Sequence, residues 1–177
     1  MRLLSEQIGY PLTEESAHKQ LAKLYFGKDD ISDDEYAEAK QINFQAIYGK
    51  IPEEHKDLKI FVEIQEYIDT MWSTYKDNDV VFNPQSGKAF TKDLKEMHPA
   101  KLMNYMMQSL ETSNNITILK EVLRYLQNKK TKLVLYTYDS FLFDFHKEDG
   151  KETLERLKEL MECEGRFPIK FKFNKDL

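Results

Sequence analysis

The hydrophobic period of this chain first changes near Asn128-Lys129-Lys130, and that change bounds the folds open to it. Upstream, apolar residues recur at helical spacing in segments 14–26, 53–76 and 99–128. In the first of these Ala17, Leu21, Leu24 and Tyr25 share one side. Between the first two, Ser32-Asp33-Asp34-Glu35 has the form of a capping box with acidic residues in the first helical turn. It opens a further helix that stops at Gly49, ahead of Pro52. Asn83-Pro84-Gln85-Ser86-Gly87 is the strongest turn signal. Downstream the pattern alternates: Lys132 to Tyr138 and Ser140 to Phe145 are strand-like runs meeting at Asp139, and Phe141, Phe143 and Phe145 alternate with Leu142 and Asp144. Gly150 then opens an amphipathic helix through Leu154, Leu157, Leu160 and Met161. Pro168 to Phe173 alternates Ile169, Phe171 and Phe173 with Lys170 and Lys172, as a last strand would. The expected class is α+β, a helical region followed by a β-β-α-β unit.

Composition narrows the function classes. A chain of 177 residues with 41% hydrophobic and 12% aromatic content is long enough and apolar enough to fold around a core. Cys163 is the sole cysteine, which rules out a disulfide framework and a cysteine zinc site and fits a reducing cytoplasm. No apolar run approaches membrane-spanning length, and Met1-Arg2-Leu3-Leu4 leads into Ser5-Glu6-Gln7 rather than a signal-peptide core, so no membrane partner is expected. A net charge of −5 argues against a free-standing nucleic-acid binder; any such contact must be local or shared with another chain.

Chemistry concentrates on Lys40-Gln41-Ile42-Asn43-Phe44-Gln45-Ala46-Ile47-Tyr48-Gly49. Steps of four put Lys40, Phe44 and Tyr48 on one helical face, in a row of ~12 Å at ~1.5 Å of rise per residue. Such a row fits either of two roles. An ammonium can hold phosphate while flat rings receive a sugar or base, or the rings form a core stripe with Lys40 snorkelling at its edge. Asp139, at a tight turn between strands, is placed to ligate Mg²⁺, though turn aspartates are common for local reasons. Tyr136, Tyr138 and Phe141 crowd that turn with aromatic rings. Asn104 and Gln108 form an i, i+4 pair of amides, a spacing most often found on a wet helix face.

Taken in order, these segments resemble the C-terminal part of a family A DNA polymerase, from about residue 14 onward. Lys40-x3-Phe44-x3-Tyr48-Gly49 resembles motif B on the fingers helix, and His18-x3-Ala22-x3-Phe26 the short helix before it. Asn104-Tyr105-Met106-Met107-Gln108 is similar to the palm helix segment, and Tyr136-Thr137-Tyr138-Asp139-Ser140 to the motif C hairpin; Gly87-Lys88 falls where the family has a Gly-Arg turn. The resemblance implies fingers-like residues 1–95 and a palm-like half sheet in 96–177. It implies that Lys40 meets the triphosphate and can protonate the leaving pyrophosphate, that His18 touches the outer phosphates, and that Phe44 packs on the deoxyribose. Tyr48 would face the template, Asn104, Gln108 and Lys101 would reach primer-template DNA, and Asp139 would hold the catalytic Mg²⁺.

Four departures accompany it. Tyr36 stands where the family has an arginine, Ser140 where it has a second motif C carboxylate, and Ala100 where it has a basic residue, with Lys101 beside it. Motif A, which supplies the other metal-binding aspartate, has no counterpart in the seventeen residues before His18. One aspartate cannot bridge two ions. The expectation is therefore the C-terminal part of a split DNA-directed DNA polymerase, completed by a chain carrying motif A and the thumb. Its expected setting is the cytoplasm of a bacterial host, with phage replication genes as the source. The alternative is a non-catalytic remnant that binds nucleotide, DNA or a replication partner. A palm sheet without motif A is also expected to expose an unpaired edge beside an aromatic face of Phe141, Phe143, Phe145 and Phe171.

Overall fold

The computed structural model describes residues 1–13, 16–92, 96–137, 140–163 and 165–173. In chain order the helices are α1 (Arg2–Gln7), α2 (Ala17–Phe26), α3 (Asp33–Ile47), α4 (Lys59–Asn78), α5 (Pro99–Leu126) and α6 (Lys151–Glu162). The strands are β1 (Val80–Phe82) and β2 (Ala89–Thr91), paired antiparallel, and β3 (Lys132–Thr137) and β4 (Ser140–Asp144), also antiparallel. The α+β class holds. The chain divides into two compact units, Met1–Glu111 and Thr112–Leu177, with α5 contributing its N-terminal part to the first and its C-terminal part to the second.

The first unit is built on α3, α4 and the start of α5. Ile60, Phe61, Ile64, Leu102, Met103, Met106 and Leu110 are fully or almost fully buried, and Leu4 and Leu21 join the same core. α1 and the β1–β2 pair add to the elements expected from the sequence. The two three-residue strands flank the Asn83–Gly87 turn, whose form is set by Asn83. Its Oδ1 accepts the Gln85 and Ser86 N–H groups, and its amide nitrogen reaches the Met106 carbonyl. The expected helix over 53–76 is a 3₁₀ turn at Glu53–His55 followed by α4.

α3 is fixed at both ends. The capping box is complete: the Ser32 hydroxyl accepts the Glu35 N–H and the Glu35 carboxylate accepts the Ser32 N–H. Lys28, first, and the Ser32 backbone, second, hold the Glu35 carboxyl down to about 2. At the other end Gly49 has φ +74°, and a Cβ placed there would lie 3.1 Å from Ala100 Cα and 3.2 Å from Ala100 Cβ on α5. Glycine at 49 therefore answers both a left-handed backbone and a close approach. His98 caps α5, its Nδ1 accepting the Lys101 N–H at 3.3 Å.

In the second unit, Ile118, Val122, Leu126, Leu157 and Met161 make a small core. β3 carries a bulge at Val134, since Leu133 faces Phe143 while Leu135 faces Leu142. Asp149, beyond β4, ties back to the residues that lead into β3, accepting from the Lys130 and Thr131 N–H groups; hydrogen bonding from Thr131 leads in lowering its carboxyl to about 2.

Two expectations are corrected here. Residues 168–173 are not a strand: Ile169 and Phe171 pack on the second core, but the segment pairs with neither β3 nor β4, so the unit is β-β-α followed by an irregular segment. Alternation alone cannot distinguish a paired strand from an unpaired segment that buries every second side chain. The aromatic face is also not the exposed one. Phe141, Phe143 and Phe171 cover the core, and the open face instead carries Val134, Leu135 and Leu142, at 60%, 52% and 56% exposure.

Candidate nucleotide and nucleic-acid interface

The two roles open to the Lys40/Phe44/Tyr48 row are separated by burial. The face of α3 that enters the core is Ala39, Ile42, Asn43 and Ala46. Phe44 and Tyr48 lie outside it, 44% and 47% exposed, and Lys40 is exposed too. They are therefore not a core stripe. Large aromatics left in water in a regular row, beside small buried residues, are a surface prepared for contact. Lys40, Phe44 and Tyr48 line an open groove of about 600 Å³ with Ala37, Gln41, Gln45 and Lys50. The groove thus carries an ammonium near each end, two rings between them, and two amides. Lys50 joins the residues that spacing alone singles out; its position directly after the helix-ending glycine is the signal available in the sequence.

His18 on α2 comes to the same place. Its ring lies 5.9 Å from that of Phe44 and edge-on to Tyr36 at 6.3 Å, and the Lys40 ammonium sits 5.8 Å from the Phe44 centroid. Burial is the main cause that pushes the His18 imidazole below its ordinary value; the Met1 ammonium and then Lys40 act in the same direction. His18 is thus a neutral ring among cations near neutral pH. Tyr36, in place of the family's arginine, directs its hydroxyl to the Ser16 Oγ, 3.5 Å away, at the N-cap of α2.

Asn43 is a further site residue that the spacing does not reveal. It is fully buried, with its amide 2.9 Å from His18 Nδ1 and hydrogen-bonded to the Tyr25 hydroxyl. Its neighbours on the buried face, Ala39, Ile42 and Ala46, are apolar, so the amide needs partners inside the protein.

On α5, Gln108 Nε2 donates to Asn104 Oδ1 at 3.1 Å, so the amide pair is formed; Asn104 and Lys101 are half-buried and Gln108 is exposed. None of the three lines the α3 groove. Asp139, and Tyr138 before it, lie outside the described residues. Beside them, the Ser140 hydroxyl is 2.6 Å from that of Thr137, across the register pair that closes the hairpin. Among the described residues no three His, Cys, Asp or Glu side chains gather as a metal site. No described helix is long and apolar enough to cross a membrane.

The fold is polymerase-like. Among solved structures the chain is similar to the POL domain of Pol1 from M. smegmatis, in complex with DNA primer-template and dNTP. The TM-score is 0.72 at 14% identity, over 95% of this chain and 35% of that one. The chain therefore spans about a third of the length of the structure it matches. No protein-family model matches the sequence, and no curated protein matches it either.

Proposed function

We propose that this chain is the nucleotide- and DNA-binding C-terminal part of a DNA-directed DNA polymerase of family A type, active in nucleotidyl transfer with a second chain that supplies motif A and the thumb. The observation that carries the reading is the exposed Lys40/Phe44/Tyr48 row with His18 packed beside Phe44, on a fold shared with a polymerase domain. In this reading Lys40 and His18 engage the triphosphate of an incoming dNTP, and Phe44 receives the sugar. Tyr48 lies at the base-pair end of the groove, and Asn104, Gln108 and Lys101 contact the primer-template duplex. Asp139 contributes one carboxylate toward Mg²⁺, and the partner the others. A phage source and a bacterial cytoplasm accord with this assignment.

The remnant reading has specific support of its own. Tyr36 offers a hydroxyl in place of a cationic clamp, and Ser140 is occupied with Thr137 rather than standing as a second carboxylate. The split-enzyme reading requires nucleotide and DNA binding with turnover; the remnant reading requires binding of nucleotide, DNA or a replication partner without it.

The test is equilibrium binding of a fluorescent dNTP to the isolated chain. Phe44→Ala and Lys40→Ala should each weaken binding about tenfold, in line with the loss of a stacking or charge-assisted contact. Unchanged affinity in both variants overturns the site. Primer extension with Mg²⁺ should stay at background for the chain alone and appear when a motif A chain is added. Under the split-enzyme reading Asp139→Asn abolishes that activity, whereas under the remnant reading no chain restores it.

A further inference from the structure

Asn43 is buried to 0% exposure next to Phe44, so both ends of its amide must be satisfied inside the protein. Its Oδ1 accepts the Tyr25 hydroxyl proton, and its Nδ2 stands 2.9 Å from His18 Nδ1. An amide nitrogen only donates, so His18 Nδ1 must present a lone pair, and the ring proton is left on Nε2. Tyr25 is itself held in place, stacked on His55 at 5.0 Å and on Phe61 at 5.7 Å. Burial, with a smaller effect from Tyr10, pushes its phenol well above the ordinary value, so it remains a donor.

We propose that Tyr25 and Asn43 are positioning residues that lock His18 as the neutral Nε2–H tautomer, a fixed hydrogen-bond donor to a phosphate oxygen of a nucleotide seated on Phe44. This rests on the nucleotide-binding reading above and gives it a chemistry. The groups facing His18 are the Met1 ammonium from the start of α1 and Tyr36 and Lys40 from α3. In such surroundings an imidazolium would be repelled, while a neutral N–H costs no charge and still donates. Lys40 then supplies the charge and His18 the direction. Phosphate recognition by His18 should accordingly persist as pH rises through its ordinary value of 6.5, where an imidazolium contact would be lost.

Long-range ¹⁵N–¹H spectra of the full chain, with His18 assigned by His18→Gln, read the tautomer directly. The wild type should show a bare Nδ1 and a protonated Nε2 at neutral pH, and adding dATP or inorganic tripolyphosphate should shift Nε2. Tyr25→Phe keeps the ring stack and lets the Asn43 amide turn, so the tautomers should mix and dATP binding weaken about three- to tenfold. Asn43→Asp, whose carboxylate would accept an Nδ1 proton, should raise the His18 titration midpoint. A mixed or Nδ1–H tautomer in the wild type overturns the proposal, as does a tautomer unmoved in a folded Tyr25→Phe. If dATP perturbs Phe44 but not His18 Nε2, this inference fails and the nucleotide site stands; if it perturbs neither, the site itself fails.

Discussion

Phe44 and His18 show how one residue's setting decides its use. Phe44 keeps nearly half its surface in water beside a helix face of Ala39, Ile42 and Ala46, so its ring contributes little to folding and is available to a ligand. His18 is half-buried and has a lowered pKa, caused first by desolvation. The sign of its effect on stability follows. The unfolded chain takes up the His18 proton near 6.5 and the folded chain only at lower pH, so this contribution is complete above about 6.5 and is lost as pH falls toward the folded value. Urea melts between about pH 7 and 5 should show stability falling with acid in the wild type, with a shallower slope in a folded His18→Gln. Equal slopes would mean that His18 titrates alike in both states.

At the scale of elements, α3 is legible from the sequence because each of its boundaries is written in residue chemistry. Ser32 and Glu35 mark the start, Gly49 marks the stop, and the apolar steps between them are helical. The same pattern shows which residues share a face but not which face meets the core; that depends on α4 and α5 packing from elsewhere in the chain. Asn43 stays hidden in the sequence for this reason, and the two roles of the aromatic row cannot be separated there. β1 and β2, at three residues each, are too short for alternation to register, and the 168–173 segment alternates without pairing. Gly49 offers a direct test of the element's anchor. Gly49→Ala introduces a side chain at φ +74° and within 3.2 Å of Ala100, so it should cost about 1–3 kcal/mol in chemical unfolding. A loss below about 0.5 kcal/mol would show that α3 ends freely.

At the scale of the whole molecule, this chain matches about a third of a polymerase domain's length while retaining two compact units. The hairpin in the second unit has a property of its own. Leu133 and Tyr136 are three residues apart and would fall on opposite faces of a regular strand, yet they pair with Phe143 and Phe141, two residues apart and on one face. Val134 absorbs the difference, pointing out at 60% exposure. In alignment terms it behaves as a silent one-residue insertion, and the hairpin has a reading frame of two. Deleting Val134 should preserve every facing pair from Thr137–Ser140 to Lys132–Asp144 and leave the melting temperature within a few degrees of wild type, by thermal denaturation followed by circular dichroism. Deleting Tyr136 instead also removes the bulge and keeps Leu133 opposite Phe143, but it leaves Leu135 opposite Phe141 and so loses the Tyr136–Phe141 ring contact; it should therefore destabilise the unit more than deleting Val134 does. The hairpin's length at position 134 is therefore expected to tolerate change, while the parity of the strand as a whole is what keeps Leu133 and Tyr136 on the core face.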